Sequence, residues 1–439
     1  MKFPQNHLIC HHFFKHEEKK LVSSIFTPQF IQFHHTRQYS IAPTMFDPSS
    51  TTTVNTNLLL FINHSPVKKA FWEARSSIFW KSSSIFSSNS SIDEHLIVKT
   101  PSRSRTSVLY RFSSEYGLRE RYRNPMNEIR IEKLLEDLDA LAGTISYKHC
   151  SSDDGTARSL ILVTASMDNM ILKKTICIDN DLTIEGAVTW VGCSSLEIQL
   201  DVKQSTPEPT NSTESVCLTA NFTFVARDKT GKSVKINQIL PETEKEKHLF
   251  QEAEERNKRR KKKKDNLGEL KVNKFNELLL ANKDNNNNIL IKETCLQNSL
   301  VCQPEQNNIH GQIFGGYLMR KAYELAYATA YSFVGSPPSF AEVDHVDFLK
   351  PVNVGDFLHL KSCVLYTQVE NSSRPLITVE VVAHVTQPQD LSSEVSNNFY
   401  FTFTVPSDSL RNGLKIRNVV PATEEEARHV MDIQDTFHP

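Results

Sequence analysis

One pattern occurs twice in this chain. Laid together without gaps, Met167–Val188 and Val343–Val364 put Asp168 on Asp344, Met170 on Val346, Leu172 on Phe348 and Lys174 on Lys350. Ile176 falls on Val352, Leu182 on Leu358, Ile184 on Leu360 and Val188 on Val364. Identities are few, but the apolar rhythm agrees. Each copy follows a helical pattern and precedes two further alternating runs. Strands repeat every two residues and helices every 3.6, so the chain reads as two units of one helix followed by antiparallel strands. Such a duplication is an α+β fold, in which each sheet buries one face against a helix.

The two helices differ at their chemistry-bearing positions. In the second copy, Asn308–Tyr331 reads NIHGQIFGGYLMRKAYELAYATAY. Phe314-Gly315-Gly316 opens an apolar segment with neither Pro nor Gly before Gly335, and Leu318, Met319, Ala322, Leu325, Ala326 and Ala330 recur at helical spacing. Two glycines at a helix start admit a close neighbour, and the free N–H groups there could hold an oxyanion. Spacing equally allows glycines that serve only tight helix–sheet packing. In the first copy, Ile129–Gly143 reads IRIEKLLEDLDALAG. Asp139 lies beside the apolar stripe and faces partly inward, which makes it a candidate general base. Glu132 and Asp137 read as a solvated face.

Aligning the helices places Asp139 on Tyr323 and Ile131-Glu132 where Gly315-Gly316 stand. Asn124 falls on Asn308, but Asn127 replaces Gly311, so the turn is expected to be broken in the first copy. Each copy keeps a complementary half. Joined, they would make one complete site and one dead site.

Asn308-x-x-Gly311-x-x-Phe314-Gly315-Gly316 resembles the N-x-x-G-x-x-x-G-G signature of hot-dog-fold acyl-CoA thioesterases, and Phe348–Asp356 (FLKPVNVGD) resembles their F-x-x-P-V-x-x-G-D strand and turn. From about Val98 to about Val405 the chain is similar to the two-hot-dog subfamily of acyl-CoA thioesterase 9, with plant-like features in its first half. The resemblance implies a tandem hot-dog, each antiparallel sheet wrapped round one long helix, with active sites between the helices. It implies hydrolysis of fatty acyl-CoA, with the Gly316 or Gly315 N–H holding the oxyanion, Asp139 activating water and Asn308 holding water or substrate. Phe314, Arg320 and Lys350 are candidate substrate-binding residues, and Lys321 is a further candidate for the CoA phosphates. Glu324 is a reserve acid, and His310 is either a base or a surface-loop histidine. Asp168 and Asp344, present in both copies, read as structural. No metal and no cofactor are expected, since CoA is part of the substrate. Assembly as a trimer of two-domain chains is expected by analogy alone.

Other chemistries are poorly served. The chain has no G-x-S-x-G elbow, Walker loop or Rossmann fingerprint. The D-x-N-x-x-H arrangement of the hydratase branch is also missing. Its eight cysteines are scattered without a C-x-x-C and read as reduced thiols. Near-balanced charge, 50 Lys and Arg against 51 Asp and Glu, points to no charged partner. Basic stretches at Arg103–Arg123 and Arg256–Lys264 leave a non-catalytic acyl-CoA-binding or RNA-binding protein as the alternative, though no nucleic acid is expected. No membrane span is expected either, because no apolar run approaches ~20 residues.

The expected organisation is a transit segment and disordered lead over 1–91, a first hot-dog domain with an arm over 92–241, and a charged, Asn-rich linker over 242–294 whose helical part is expected to be solvated. A second hot-dog domain covers 295–408 and a tail 409–439. The Ser-, Thr- and His-rich start, with Arg37-Gln38-Tyr39-Ser40 as a processing site, is read as a mitochondrial leader, with a plastid as the alternative.

Overall fold

The computed structural model describes residues 65–67, 96–152, 160–204, 215–265, 288–308, 311–369, 374–405 and 414–437. The expected leader, Trp72, Trp80, His310 and most of the polyasparagine run lie outside these residues. The chain divides into a unit spanning His64–Val420 and a second made of Met1–Asn63 with Pro421–Pro439. The described part of the second unit contains a helix at Glu424–Phe437, whose start is capped by Thr423 Oγ1 accepting from the Glu426 N–H at 3.1 Å.

Ten strands of the larger unit form one sheet. They are β1 (Thr106–Tyr110), β2 (Ile161–Leu172), β3 (Leu182–Val191), β4 (Ser195–Gln204), β5 (Ser215–Arg227), β6 (Leu296–Val301), β7 (Ser339–Phe348), β8 (Phe357–Gln368), β9 (Leu376–Gln387) and β10 (Ser392–Thr404). Their order is β1-β3-β4-β5-β2-β7-β10-β9-β8-β6. All neighbours are antiparallel. Read from either end, the order is the same, so the sequence repeat is a structural repeat. The halves meet where β2 pairs with β7, with Asp168 opposite His345 and Met167 opposite Val346.

Each half wraps its inner face round one helix, the hot-dog arrangement. Helix α1 (Ile131–Cys150) packs on β2 to β5, and α2 (Gly315–Val334) packs on β8 to β10. On α1, Leu134, Leu135, Leu138, Leu141 and Ile145 are fully buried. Each such side chain contributes about 1.5–3 kcal/mol by leaving water. On α2, Met319, Ala322, Ala326 and Ala330 form a buried stripe of smaller residues. The helix stops at Gly335, whose φ of 76° is the left-handed cap that glycine adopts without strain.

Two expectations about charged residues change. Asp137 is buried, not solvated: it accepts from Ser65 Oγ at 2.6 Å, from Tyr110 Oη at 2.8 Å and from the Tyr122 hydroxyl. Three donors offset the cost of burying its charge and pin the segments before α1 onto that helix. The charged linker is likewise more than a solvated spacer. Its helix, Glu244–Asp265, lies on the outer face of the first half. Ala253 is fully buried there, and Arg256 meets the buried carboxylate of Glu197 at 2.6 Å. No described helix is long and apolar enough to cross a membrane.

Candidate active site

The start of α2 abuts the middle of α1. A Cβ added at Gly316 would sit 2.9 Å from the Glu136 carbonyl oxygen and 3.0 Å from its Cα. One at Gly315 would sit 3.2 Å from both Asp139 Oδ2 and the Phe348 ring. Gly316 therefore lets two backbones approach this closely, and Gly315 leaves room for the Asp139 and Phe348 side chains. That approach brings the Gly316 N–H to Asp139 Oδ2 at 2.7 Å. Phe314 caps the helix, with its ring against Gly316.

Asp139 is 1% exposed. Burial raises its pKa to about 6, against the opposing pull of hydrogen bonds from Thr164 and the Gly316 N–H. The carboxylate thus sits at the positive end of a helix, largely dehydrated and close to neutrality in its titration. Its other oxygen, Oδ1, accepts from Thr164 Oγ1 at 2.9 Å.

Sequence reasoning passed over Thr164 because of strand parity. Along a regular strand, residues three apart face opposite sides. A bulge between Thr164 and Ser166 uses up one residue, so Thr164 pairs with Phe224, Met167 pairs with Phe222, and both face inward. The second half carries the matching bulge between Phe340 and Glu342. Phe340 stands where Thr164 does, and that comparison is the signal that could have exposed the threonine.

Asn308 lies on the loop that feeds α2. Its Oδ1 accepts the Gln312 N–H at 3.2 Å, and its carbonyl accepts the Gly311 N–H at 3.2 Å, where Gly311 has φ 80°. The first half was expected to lack this turn, and the structure corrects that. Asn124 Oδ1 accepts the Glu128 N–H at 2.8 Å, its carbonyl accepts the Asn127 N–H at 3.1 Å, and Asn127 takes φ 64°. Asparagine tolerates left-handed backbone better than most residues, so the turn survives loss of its glycine.

The remaining candidates spread outward. Arg320 bridges Glu136 at 3.3 Å and Glu324 at 3.1 Å, across the helix pair. Burial pushes the Glu324 carboxyl up, but Lys321 and Arg320 together hold it below its usual range, which suits an ion-pair partner better than a base. Lys350 pairs with Glu394 at 2.5 Å on the surface, and no described contact joins it to the Asp139 cluster. Asp344 accepts from Thr402 Oγ1 at 2.8 Å, and Asp168 holds His345 at 2.6 Å. Among the described residues no His, Cys, Asp or Glu cluster could hold a metal.

The counterpart of this cluster in the other half is filled. Glu132 stands where Gly316 does and pairs with Arg130 at 2.5 Å. Tyr323, in the place of Asp139, is buried and packs on Phe340, Phe401 and Phe403. One junction joins an acid to a helix start, and the other is an aromatic core.

Comparison with known proteins gives no matching family model. The chain is 54% identical to acyl-coenzyme A thioesterase 4, mitochondrial, of Humulus lupulus, over 94% of this chain and 86% of that one. It is 54% identical to acyl-coenzyme A thioesterase 2, chloroplastic, of the same plant, over 90% and 93%. It is 33% identical to acyl-coenzyme A thioesterase 9, mitochondrial, of Homo sapiens, over 75% and 76%. Among solved structures, a hexameric acyl-CoA thioesterase aligns at 27% identity and a TM-score of 0.32, over 38% of this chain and 97% of that one. The repeated sheet, the single acid-to-glycine junction and identity sustained over most of the chain agree: this protein belongs to the acyl-CoA thioesterases, as a double hot-dog member of the acyl-CoA thioesterase 9 type.

Proposed function

We propose that the chain hydrolyses fatty acyl-CoA to free fatty acid and CoA at one composite site, built from Asp139 of the first half and Asn308, Gly315 and Gly316 of the second. The observation that carries this reading is the hydrogen bond from the Gly316 N–H to Asp139, which joins the halves at a buried carboxylate whose pKa burial raises to about 6. The thioester carbonyl takes over an N–H of the first α2 turn, where the helix end stabilises the developing oxyanion. Asp139, steadied by Thr164, withdraws a proton from water as its oxygen bonds to the acyl carbon. Asn308 holds that water or the carbonyl. When the tetrahedral intermediate collapses, the C–S bond breaks and the proton passes from Asp139 to the departing CoA sulfur. Water and these groups suffice for the chemistry, so no cofactor is called on. Phe314 would flank the thioester, and Arg320 and Lys350 would meet the CoA phosphates by releasing their carboxylate partners.

The relatives' names support an organelle as the compartment. Within that, the mitochondrial matrix is our reading, ahead of a plastid. Assembly into a trimer of these two-half chains is a further part of the proposal.

The test is release of free CoA from short, medium and long acyl-CoAs by the parent, Asp139→Ala and Asn308→Ala. Both variants are expected to lose roughly 100-fold or more in kcat while staying folded by circular dichroism. Full activity in Asp139→Ala would sink the composite site.

A further inference from the structure

The linker helix Glu244–Asp265 has two ends of different chemistry. From Glu244 to Glu255 acids and bases are mixed, and this part is fastened to the first half. Glu246 pairs with Arg105 at 3.6 Å, Ala253 is fully buried, and Arg256 meets the Glu197 carboxylate at 2.6 Å. Past Arg256 the helix turns to solvent, with the side chains of Lys258 and Arg259 63% and 73% exposed. From Lys258 to Lys264 every residue is a cation, five lysines and two arginines.

Spacing sets this run apart from an ordinary solvated face. Residues four apart are neighbours on a helix. Glu254 and Glu255 stand one turn before Lys258 and Arg259 and pair with them at 3.3 and 3.8 Å, exposed pairs that contribute little. One turn before Arg260, Lys262, Lys263 and Lys264 stand Arg256, Lys258, Arg259 and Arg260. Like charges at this spacing destabilise a helix. The helix end favours cations only over its last turn, and this run fills about two. A solvated spacer mixes its signs, as the Glu244–Glu255 part does. One sign on a helix that repels itself calls for an anionic surface from outside.

The run also selects the kind of surface. Successive residues turn by about 100°, so seven in a row place charge on every side of the helix. Such a segment needs no particular groove or register, which suits a flat, fluid array of headgroups. Lysine outnumbers arginine, and lysine acts as a point charge more than as a two-pronged phosphate reader. No aromatic residue lies between Arg256 and Asp265 on which a base could stack. Clusters of four to eight Lys and Arg on a helix are of the size that holds proteins to anionic lipid.

We propose that Lys258–Lys264 docks this protein onto an anionic lipid bilayer as a peripheral contact. The benefit rests on the thioesterase reading: fatty acyl-CoA and fatty acid are amphiphiles that gather at bilayers, so docking would place the enzyme beside both. The helix lies on the outer face of the first half and Asp139 on the inner side, so docking leaves the thioester site uncovered.

The test is co-sedimentation of the full chain with vesicles of phosphatidylcholine alone, or with an equal part of phosphatidylglycerol. The parent is expected to sediment with the anionic vesicles only, and to be released as salt shortens the reach of charge. A variant combining Lys261→Gln, Lys262→Gln, Lys263→Gln and Lys264→Gln should partition about tenfold or more weakly. Glutamine keeps the helix propensity of lysine, so circular dichroism should match the parent. Residues 1–91 are common to both proteins, so any lipid binding by them cancels in the comparison. Release of CoA from a short acyl-CoA without vesicles should be equal in parent and variant. A parent that releases no CoA yet sediments would overturn the thioesterase reading and support the docking surface. Equal sedimentation of parent and variant, or of the parent with both kinds of vesicle, would overturn the proposal. So would tighter binding, per phosphate, to a random duplex RNA than to the anionic vesicles.

Discussion

At the residue scale, Asp139 has one oxygen on a backbone N–H and the other on a hydroxyl, and each bond opposes the effect of burial on its proton. In the proposed role of base it must be ionised, so kcat/KM should fall as pH drops through about 6, the value to which burial raises this carboxyl. The Thr164 bond lowers that pKa. Thr164→Val should therefore move the acidic limb of the pH profile to higher pH, with activity regained at alkaline pH. A limb that stays in place would show that the threonine does not hold the base. Asp139 was legible in the sequence because the repeat showed an acid opposite a tyrosine. Thr164 was hidden by the bulge, which only a three-dimensional register reveals. The Asn127 turn was misread because a missing glycine looked decisive, whereas asparagine tolerates the same backbone angle.

At the scale of elements, helix α1 was readable from its apolar spacing, but the residues that fasten it were not. Asp137 looked like surface because its three donors, Ser65, Tyr110 and Tyr122, lie 15 to 72 residues away in sequence. Burial, followed by the charge of Asp137, raises both tyrosine pKa values well above the ordinary range, so all stay protonated as donors. Asp137→Ala would remove the acceptor that Ser65, Tyr110 and Tyr122 share, and should cost about 2–5 kcal/mol at roughly 1–3 per buried hydroxyl that loses it. A denaturant midpoint unchanged from the parent would contradict the clamp. The same limit applies to the linker helix. Its Lys–Glu composition reads as solvated, whereas Ala253 is buried against the sheet and Arg256 and Glu246 pair with Glu197 and Arg105 of the first half.

At the scale of the whole molecule, the sheet is continuous across the β2–β7 seam, where His345 lies between Asp168 at 2.6 Å and Asp347 at 2.9 Å. Burial disfavours its charge, but Asp347 and Asp168 win and raise its pKa to about 10. A histidine raised in the folded state contributes stability that is full below its unfolded pKa of about 6.5, and lost as pH climbs through about 10. Unfolding free energy should decline over that window, and His345→Gln should flatten the decline. An identical slope in the variant would exclude the seam histidine as its source.

Because Asp139 and Gly316 belong to a single polypeptide, the proposed catalytic pair cannot be parted by dilution. A site shared between two separate chains falls apart once the protein is thinner than their dissociation constant. Here specific activity should stay level from micromolar to picomolar enzyme, even if any higher assembly comes apart. An activity that drops with dilution would mean that neighbouring copies complete the site. A tethered pair also never meets a second copy of itself by exchange, which leaves one half free to lose its chemistry and become scaffold. The aromatic filling round Tyr323, at the place that Asp139 holds in the other half, fits such a scaffold.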